Sequence, residues 1–177
     1  SIGLVAFFSL WLFVFKPYQK ARIINFVNPT SDIRGSGYNA YQSTIAVGSG
    51  QLFGKGVGFG TQSRLEFLPE YQTDFIFAAY SEEWGFVGST IIILLYGILI
   101  WRILKISLVG ASNFEMLYGV GLAILFFSHG MINIGMNIGL LPVTGITLPF
   151  MSYGGSHLIA EFLALGVLMS TRRNIRS

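Results

Sequence analysis

The residues best equipped for chemistry lie between positions 60 and 88, in G-T-Q-S-R-L-E-F-L-P-E-Y-Q-T-D-F-I-F-A-A-Y-S-E-E-W-G-F-V-G. Asp74 stands where a polar loop meets a long apolar segment, and Glu82 and Glu83 follow inside that segment. Ionisable groups at membrane depth are expensive, so they are functional by default. Asp74 admits two readings. As an N-cap, Thr73 or Asp74 would satisfy orphan N–H groups at the helix start, a role these residue types fill so often that capping is the first expectation. As a general base at the membrane surface, with Glu66 and Glu70 in the loop before it, Asp74 would be kept ionised and only weakly basic by the helix dipole. The two roles do not exclude each other.

Glu82 and Glu83 are expected to be buried, hydrogen-bonded structural groups, because a carboxylate at that depth needs a partner. His129, Asn133 and Asn137 recur at i, i+4 and i+8 on one helix face and are the expected partners. A lone intramembrane histidine can be a metal ligand or a proton relay. With two asparagines beside it and no second histidine at ligand spacing, interhelical hydrogen bonding is the better account. Between positions 137 and 156, Pro142 and Pro149 forbid a continuous helix. Backbone N–H groups from Ser152 to Ser156 could face an anion at a helix N-terminus, or Gly154 and Gly155 could serve close helix packing.

Glycine is dense from position 48 to 60, but Gly50-Gln51-Leu52-Phe53-Gly54-Lys55 is not a phosphate loop. It has three residues between its glycines where such a loop has four, and Gly56 stands where Ser or Thr should follow the lysine. What remains for this stretch is close backbone approach to a ligand or a neighbouring helix.

The elements that must position these residues belong in lipid. Of 177 residues, 53% are hydrophobic and only 11% charged, with a mean hydropathy of +0.63. Soluble domains carry about 25% charged residues. Cysteine is absent, which removes disulfides, thiol nucleophiles and thiolate metal sites. Residues 1–15 read as the end of a spanning helix, stopped by Lys16-Pro17-Tyr18. Residues 16–73 form a long polar loop, within which 41–47 is short and mildly amphipathic. Spans follow at 74–104, 113–134 and 156–171, the second opened by the capping box Ser112-Asn113-Phe114-Glu115. The expected fold is all-α: a polytopic membrane protein, a partial bundle of about four transmembrane segments with a long external loop, in one domain over 1–177. Arg102, Lys105, Arg172, Arg173 and Arg176 flank short loops and span ends, which places them on the cytoplasmic side and residues 16–73 outside. The loop itself carries Lys16, Lys20, Arg22, Arg34, Lys55 and Arg64, a solvated face or a basic surface for an anionic group.

These residues resemble the SEDS family (shape, elongation, division and sporulation), which includes RodA, FtsW and SpoVE. The resemblance runs nearly end to end. It is carried by Lys16-Pro17-Tyr18-Gln19-Lys20-Ala21-Arg22, Ile45-Ala46-Val47-Gly48-Ser49-Gly50, Gly60-Thr61-Gln62-Ser63, Phe67-Leu68-Pro69-Glu70, Thr73-Asp74-Phe75-Ile76-Phe77, Glu82-Glu83-Trp84-Gly85-Phe86, Asn137-Ile138-Gly139-Leu140-Leu141-Pro142 and Leu148-Pro149-Phe150-Met151-Ser152-Tyr153-Gly154-Gly155-Ser156. Arg34-Gly35-Ser36-Gly37 and Tyr71-Gln72 look more like RodA than FtsW. Two departures stand out: Thr147 where the family usually has Pro, and His157 where it often has a second Ser. The chain looks like the C-terminal half of such a protein.

The resemblance implies a peptidoglycan glycosyltransferase of the bacterial cytoplasmic membrane that polymerises lipid II at the outer face. Its partner would be a class B penicillin-binding protein, with membrane lipid around it and no nucleic acid. The family's essential aspartate falls on Asp74, with substrate contacts expected from Lys55, Gln62, Arg64, Glu70, Thr73, Ser152 and Ser156. Lys55, Arg64 or a divalent cation, magnesium or manganese, would neutralise the leaving pyrophosphate. The rival readings are a lipid II flippase, served by the same intramembrane carboxylates and broken link, and a non-catalytic scaffold for the penicillin-binding protein.

Overall fold

The computed structural model describes residues 16–27, 36–64, 67–109 and 112–174. They form helices α1 (Pro17–Val27), α2 (Ser36–Ser49), the single turn α3 (Thr61–Arg64), α4 (Ile76–Ser107), α5 (Asn113–Asn137) and α6 (Gly155–Asn174), with no strand among the described residues. The expected helix end at residues 1–15 lies outside them, as does Glu66. The all-α membrane architecture stands: α4 and α5 are long and apolar enough to cross a bilayer.

Lys16-Pro17 begins a helix, where the sequence suggested a stop. Pro17 takes the first helical position, where its missing N–H costs nothing. The Gln19 side chain reaches back to accept from the Lys16 N–H at 3.0 Å, the reciprocal half of a capping box. The polar region 16–73 is therefore structured by α1, α2 and α3. Ser112 caps α5 as its sequence signature requires, its hydroxyl accepting from the Glu115 N–H at 3.3 Å.

Helix α4 is broken at Gly85, whose φ of 67° and ψ of −164° leave the helical region. Such a break frees carbonyls below it and N–H groups above it, and neither can stay unpaired in lipid. The turn after α2 supplies partners for two carbonyls and two N–H groups. Lys55 N–H donates to Glu82 O at 2.9 Å and Gly56 N–H to Glu83 O at 3.0 Å. In return Phe86 N–H donates to Gln51 O at 2.8 Å and Val87 N–H to Leu52 O at 3.1 Å. Contact this close admits no side chains. A Cβ on Gly54 would stand 2.1 Å from Glu83 O, and one on Gly50 would stand 2.0 Å from Ser81 O. The glycine-dense stretch is thus a backbone plug for a broken helix. The 22 residues from Phe86 to Ser107 still rise about 33 Å, enough to cross the hydrocarbon core.

Two apolar clusters hold the helices together. Ile103, Leu122, Ala123, Phe126 and Leu168 join α4, α5 and α6. Ala46, Leu68, Phe75 and Ala78 join α2, the loop and the start of α4. Ser152 Oγ donates to Thr73 O at 2.7 Å, and Tyr153 N–H to Gln72 O at 2.8 Å. These bonds bring the link between α5 and α6 to the mouth of α4.

Candidate functional site

Asp74 does not cap α4. Phe75 occupies the N-cap position without a side-chain cap, and the Thr73 hydroxyl turns back to Glu70 Oε2 at 2.9 Å. The capping is done from another helix: Asn137 Oδ1 accepts from the Ala78 N–H at 3.2 Å. Asn133 Nδ2 and Asn137 Nδ2 both donate to Asp74 O, at 2.9 and 3.2 Å. Both asparagines are fully buried, so their amides meet these groups without competition from water. The backbone of Asp74 is therefore fixed by α5, while among the described residues nothing donates a hydrogen bond to its carboxylate.

That carboxylate is half-buried between the turn before α4 and the link before α6. A Cβ placed on Gly145 would stand 3.3 Å from Asp74 Oδ2, so this glycine, at φ +75°, brings bare backbone against the carboxylate. Burial pushes the Asp74 pKa above its ordinary value, the nearby Glu70 charge pushes the same way, and Arg22 opposes them. The expectation of a weakly basic aspartate is corrected. Desolvation outweighs any helix-dipole effect at a residue that is not in the cap. Arg22, from α1, is anchored by donation from Nη1 to Thr144 O at 2.7 Å. It also lines a cavity of about 230 Å³ with Tyr41, Thr44, Gly139, Pro142 and Val143.

The other expected site residues are sorted differently by the structure. Lys55 is not a free cation: Nζ lies 2.7 Å from Glu82 Oε1 and donates to Thr61 Oγ1 at 2.8 Å. Glu82, fully buried, also accepts from the Thr61 N–H at 2.8 Å and the Gln62 N–H at 3.1 Å. Its partners are thus the 55–62 loop, correcting the expectation of His129, Asn133 and Asn137. The reason is the break at Gly85, which admits the loop. Glu83 accepts from the Gly58 N–H at 3.0 Å and secures the same loop. Gln62 has its backbone committed to Glu82, and its side-chain oxygen is buried without a partner among the described residues. The Arg64 side chain is outside the described residues.

Glu70 adopts φ +56° and holds Thr73. Buried Ser152 accepts from the Leu148 N–H at 2.8 Å while donating to Thr73 O, so its hydroxyl clasps the link and is no anion subsite. Ser156 is exposed in the first turn of α6. His129 stacks on His157, ring centroids 6.1 Å apart. Thr147 and His157, the two departures noted in the sequence, lie against one another, Oγ1 and Nε2 being 3.2 Å apart. The sequence reading named Arg22 only as one cation of the basic loop, and did not single out Gly145 or Glu161 for the site. Glu161, a lone carboxylate inside an apolar segment, carried the same signal that drew attention to Glu82.

Among the described residues no three His, Asp or Glu side chains converge as a metal site. A divalent cation at Asp74 would have Glu70 as the neighbouring carboxylate, with its remaining ligands from substrate oxygens and water.

Comparison with known proteins places this geometry in context. The FtsW/RodA/SpoVE family model, described as cell cycle protein, matches residues 1–177. Stage V sporulation protein E of Bacillus subtilis (strain 168) is 49% identical over 177 residues, covering 99% of this chain and 47% of that protein. Peptidoglycan glycosyltransferase MrdB of Escherichia coli (strain K12) is 47% identical over 172 residues, covering 96% and 46%. A solved structure described as "Structural coordination of polymerization and crosslinking by a peptidoglycan synthase complex" superposes with a TM-score of 0.70 at 32% identity, covering 97% of this chain and 48% of that one. The chain spans about half the length of the curated relatives it matches.

Proposed function

This chain belongs to the FtsW/RodA/SpoVE family of cell cycle proteins, and from that premise we propose that it forms the C-terminal half of a peptidoglycan glycosyltransferase polymerising lipid II. The observation that carries the reading is Asp74: a half-buried carboxylate with a raised pKa, no donor on its oxygens among the described residues, and a cation from α1 nearby.

In this mechanism the Asp74 carboxylate accepts the proton of the acceptor sugar's 4-hydroxyl as that oxygen attacks the donor's anomeric carbon. The raised pKa makes it a better base than a solvated aspartate. The bond from the anomeric carbon to the pyrophosphate oxygen breaks, and undecaprenyl pyrophosphate departs with the electron pair. Arg22 replaces Lys55 as the residue that meets the developing charge, since Lys55 is neutralised by Glu82. One base and one direct displacement invert the anomeric centre, by analogy with inverting glycosidases.

A class B penicillin-binding protein is the partner in this reading, supported by the likeness to a structure described as a peptidoglycan synthase complex. The site would face outward across the bacterial cytoplasmic membrane, with Arg102, Lys105 and the C-terminal arginines inside. The test is polymerisation of externally supplied lipid II by the reconstituted full-length protein with that partner. Asp74→Asn should lower the rate by about a hundredfold or more, within the range of general-base losses. Wild-type polymerisation by the Asn variant would refute the base. Lipid transport without polymer would favour the flippase.

A further inference from the structure

The link between α5 and α6 carries two features that meet Asp74: Thr144 O anchors Arg22, and Gly145 lies against the carboxylate. A few residues on, a second polar cluster grips the same link. Thr147 Oγ1 is 3.2 Å from His157 Nε2. His157 Nδ1 lies 2.8 Å from Glu161 Oε1, an ion-pair distance without hydrogen-bond alignment, while Glu161 Oε2 accepts from the Phe150 N–H at 2.9 Å. The His157 ring is backed by His129 at 15° to its plane.

Glu161 is only 5% exposed. A buried carboxylate beside a part-exposed imidazole contributes little net stability compared with apolar residues of the same volume, whereas such polar contacts can select one arrangement among several packings. What this cluster selects is the position of the link. Thr147 and Phe150 bracket the Leu148-Pro149 pair, and the Tyr96 hydroxyl donates to Pro149 O between them. On the other side of Thr147, Ile146 O accepts from the Asn133 Nδ2 that also holds Asp74 O. With that second anchor in place, removing the brace should shift the link without unfolding it.

We propose that Thr147, His157 and Glu161 are positioning residues for Asp74, locking residues 147–150 to α6 and so fixing Gly145 and the Thr144-bound Arg22 relative to the carboxylate. The proposal rests on Asp74 being the base. In this arrangement all three act through the link.

The test uses the full-length protein with its partner, in four variants: Thr147→Val, Thr147→Ser, His157→Phe and the Val/Phe double. Four quantities are measured: kcat and KM with lipid II, the pH midpoint of carbodiimide labelling at Asp74 by mass spectrometry, and the Tm. Thr147→Val removes only the hydroxyl, so it keeps the question open to measurement should His157→Phe fail to fold. The expected result is a fall in kcat of about tenfold in Thr147→Val and in His157→Phe, with KM within about twofold, the cost of a small misplacement at a reacting group. The labelling midpoint should move in both, and Thr147→Ser should behave as wild type. The double should be no worse than His157→Phe alone, since that variant already cuts the Thr147 contact along with the one to Glu161.

An unmoved labelling midpoint in Thr147→Val, losses that multiply in the double, or a Thr147→Ser as impaired as the valine would each overturn the proposal. Labelling needs no turnover. A wild-type protein without polymerase activity would therefore sink the proposed function while the midpoints still judged the brace.

Discussion

At the scale of single residues, the Asp74 carboxylate is held in a state that the fold itself disfavours. Burial and Glu70 raise its pKa, and Arg22 pulls it down. The folded protein therefore binds this proton more tightly than the unfolded chain does, and ionisation costs stability. That cost is absent below the ordinary value of 3.8, grows as pH rises past it, and is complete above the folded value. An asparagine side chain cannot ionise, so Asp74→Asn should raise the Tm at neutral pH while lowering polymerisation about a hundredfold or more, and the two Tm values should converge in acid. A variant equal to or less stable than wild type at neutral pH would contradict a destabilised base. The activity profile follows the same logic. Activity should fall as pH drops through the Asp74 pKa. Arg22→Gln removes the group that lowers it, so the acid limb should move to higher pH along with the loss of kcat. An acid limb that stayed put would mean that Arg22 does not act on this carboxylate.

Among the elements, the broken helix α4 does the positioning. Gly85 cannot be replaced without moving backbone: a Cβ there would stand 2.3 Å from Gly54 N, at a φ that other residues adopt only with strain. Gly85→Ala should therefore cost at least about 1–3 kcal/mol from conformation alone, read as a lower Tm in detergent and faster proteolysis across residues 50–60. Glu82→Gln keeps an acceptor for the Thr61 and Gln62 N–H groups but leaves Lys55 without its counter-charge. Lys55 is 30% exposed, so water screens the orphaned charge and the cost should fall below the roughly 3 kcal/mol of a fully buried pair, while the same protease sites should open. Unchanged proteolysis in both variants would mean that the loop is held some other way. This device also marks where sequence reading ran out. The apolar length of α4 and α5, the Ser112 cap and the place of Asp74 at the mouth of α4 follow from local composition and spacing. The turn that plugs Gly85 does not, because its bonds run from main chain to main chain across some thirty residues and leave no side-chain signature beyond the glycines. The same blindness misassigned the Glu82 partners. His129, Asn133 and Asn137 do share a face, but the asparagines serve the start of α4, a fact set by how two helices cross.

For the whole molecule, the described helices fix relations that no single element shows. The start of α4, the link before α6, and α1 and α2 meet at one end, tied by Arg22 to Thr144, Ser152 to Thr73, and Ser43 Oγ to Asn137 O at 3.2 Å. The opposite end of α4 carries Arg102 and Lys105, the latter over the Trp101 ring at 5.2 Å. The proposed orientation sets this basic helix end on the cytoplasmic side and the Asp74 end outside, within reach of lipid-linked sugars on the outer leaflet. The chain has no cysteine, so introduced thiols report their side without background from it. Phe53 and Leu108 suit the purpose, at 81% and 74% exposure near opposite ends of α4. In intact cells bearing the full-length protein, freed of any cysteine beyond this chain, Phe53→Cys should react with a membrane-impermeant maleimide. Leu108→Cys should react only after the membrane is opened. The reverse pattern would turn Asp74 toward the cytoplasm and remove the base from its substrate, whatever its pKa.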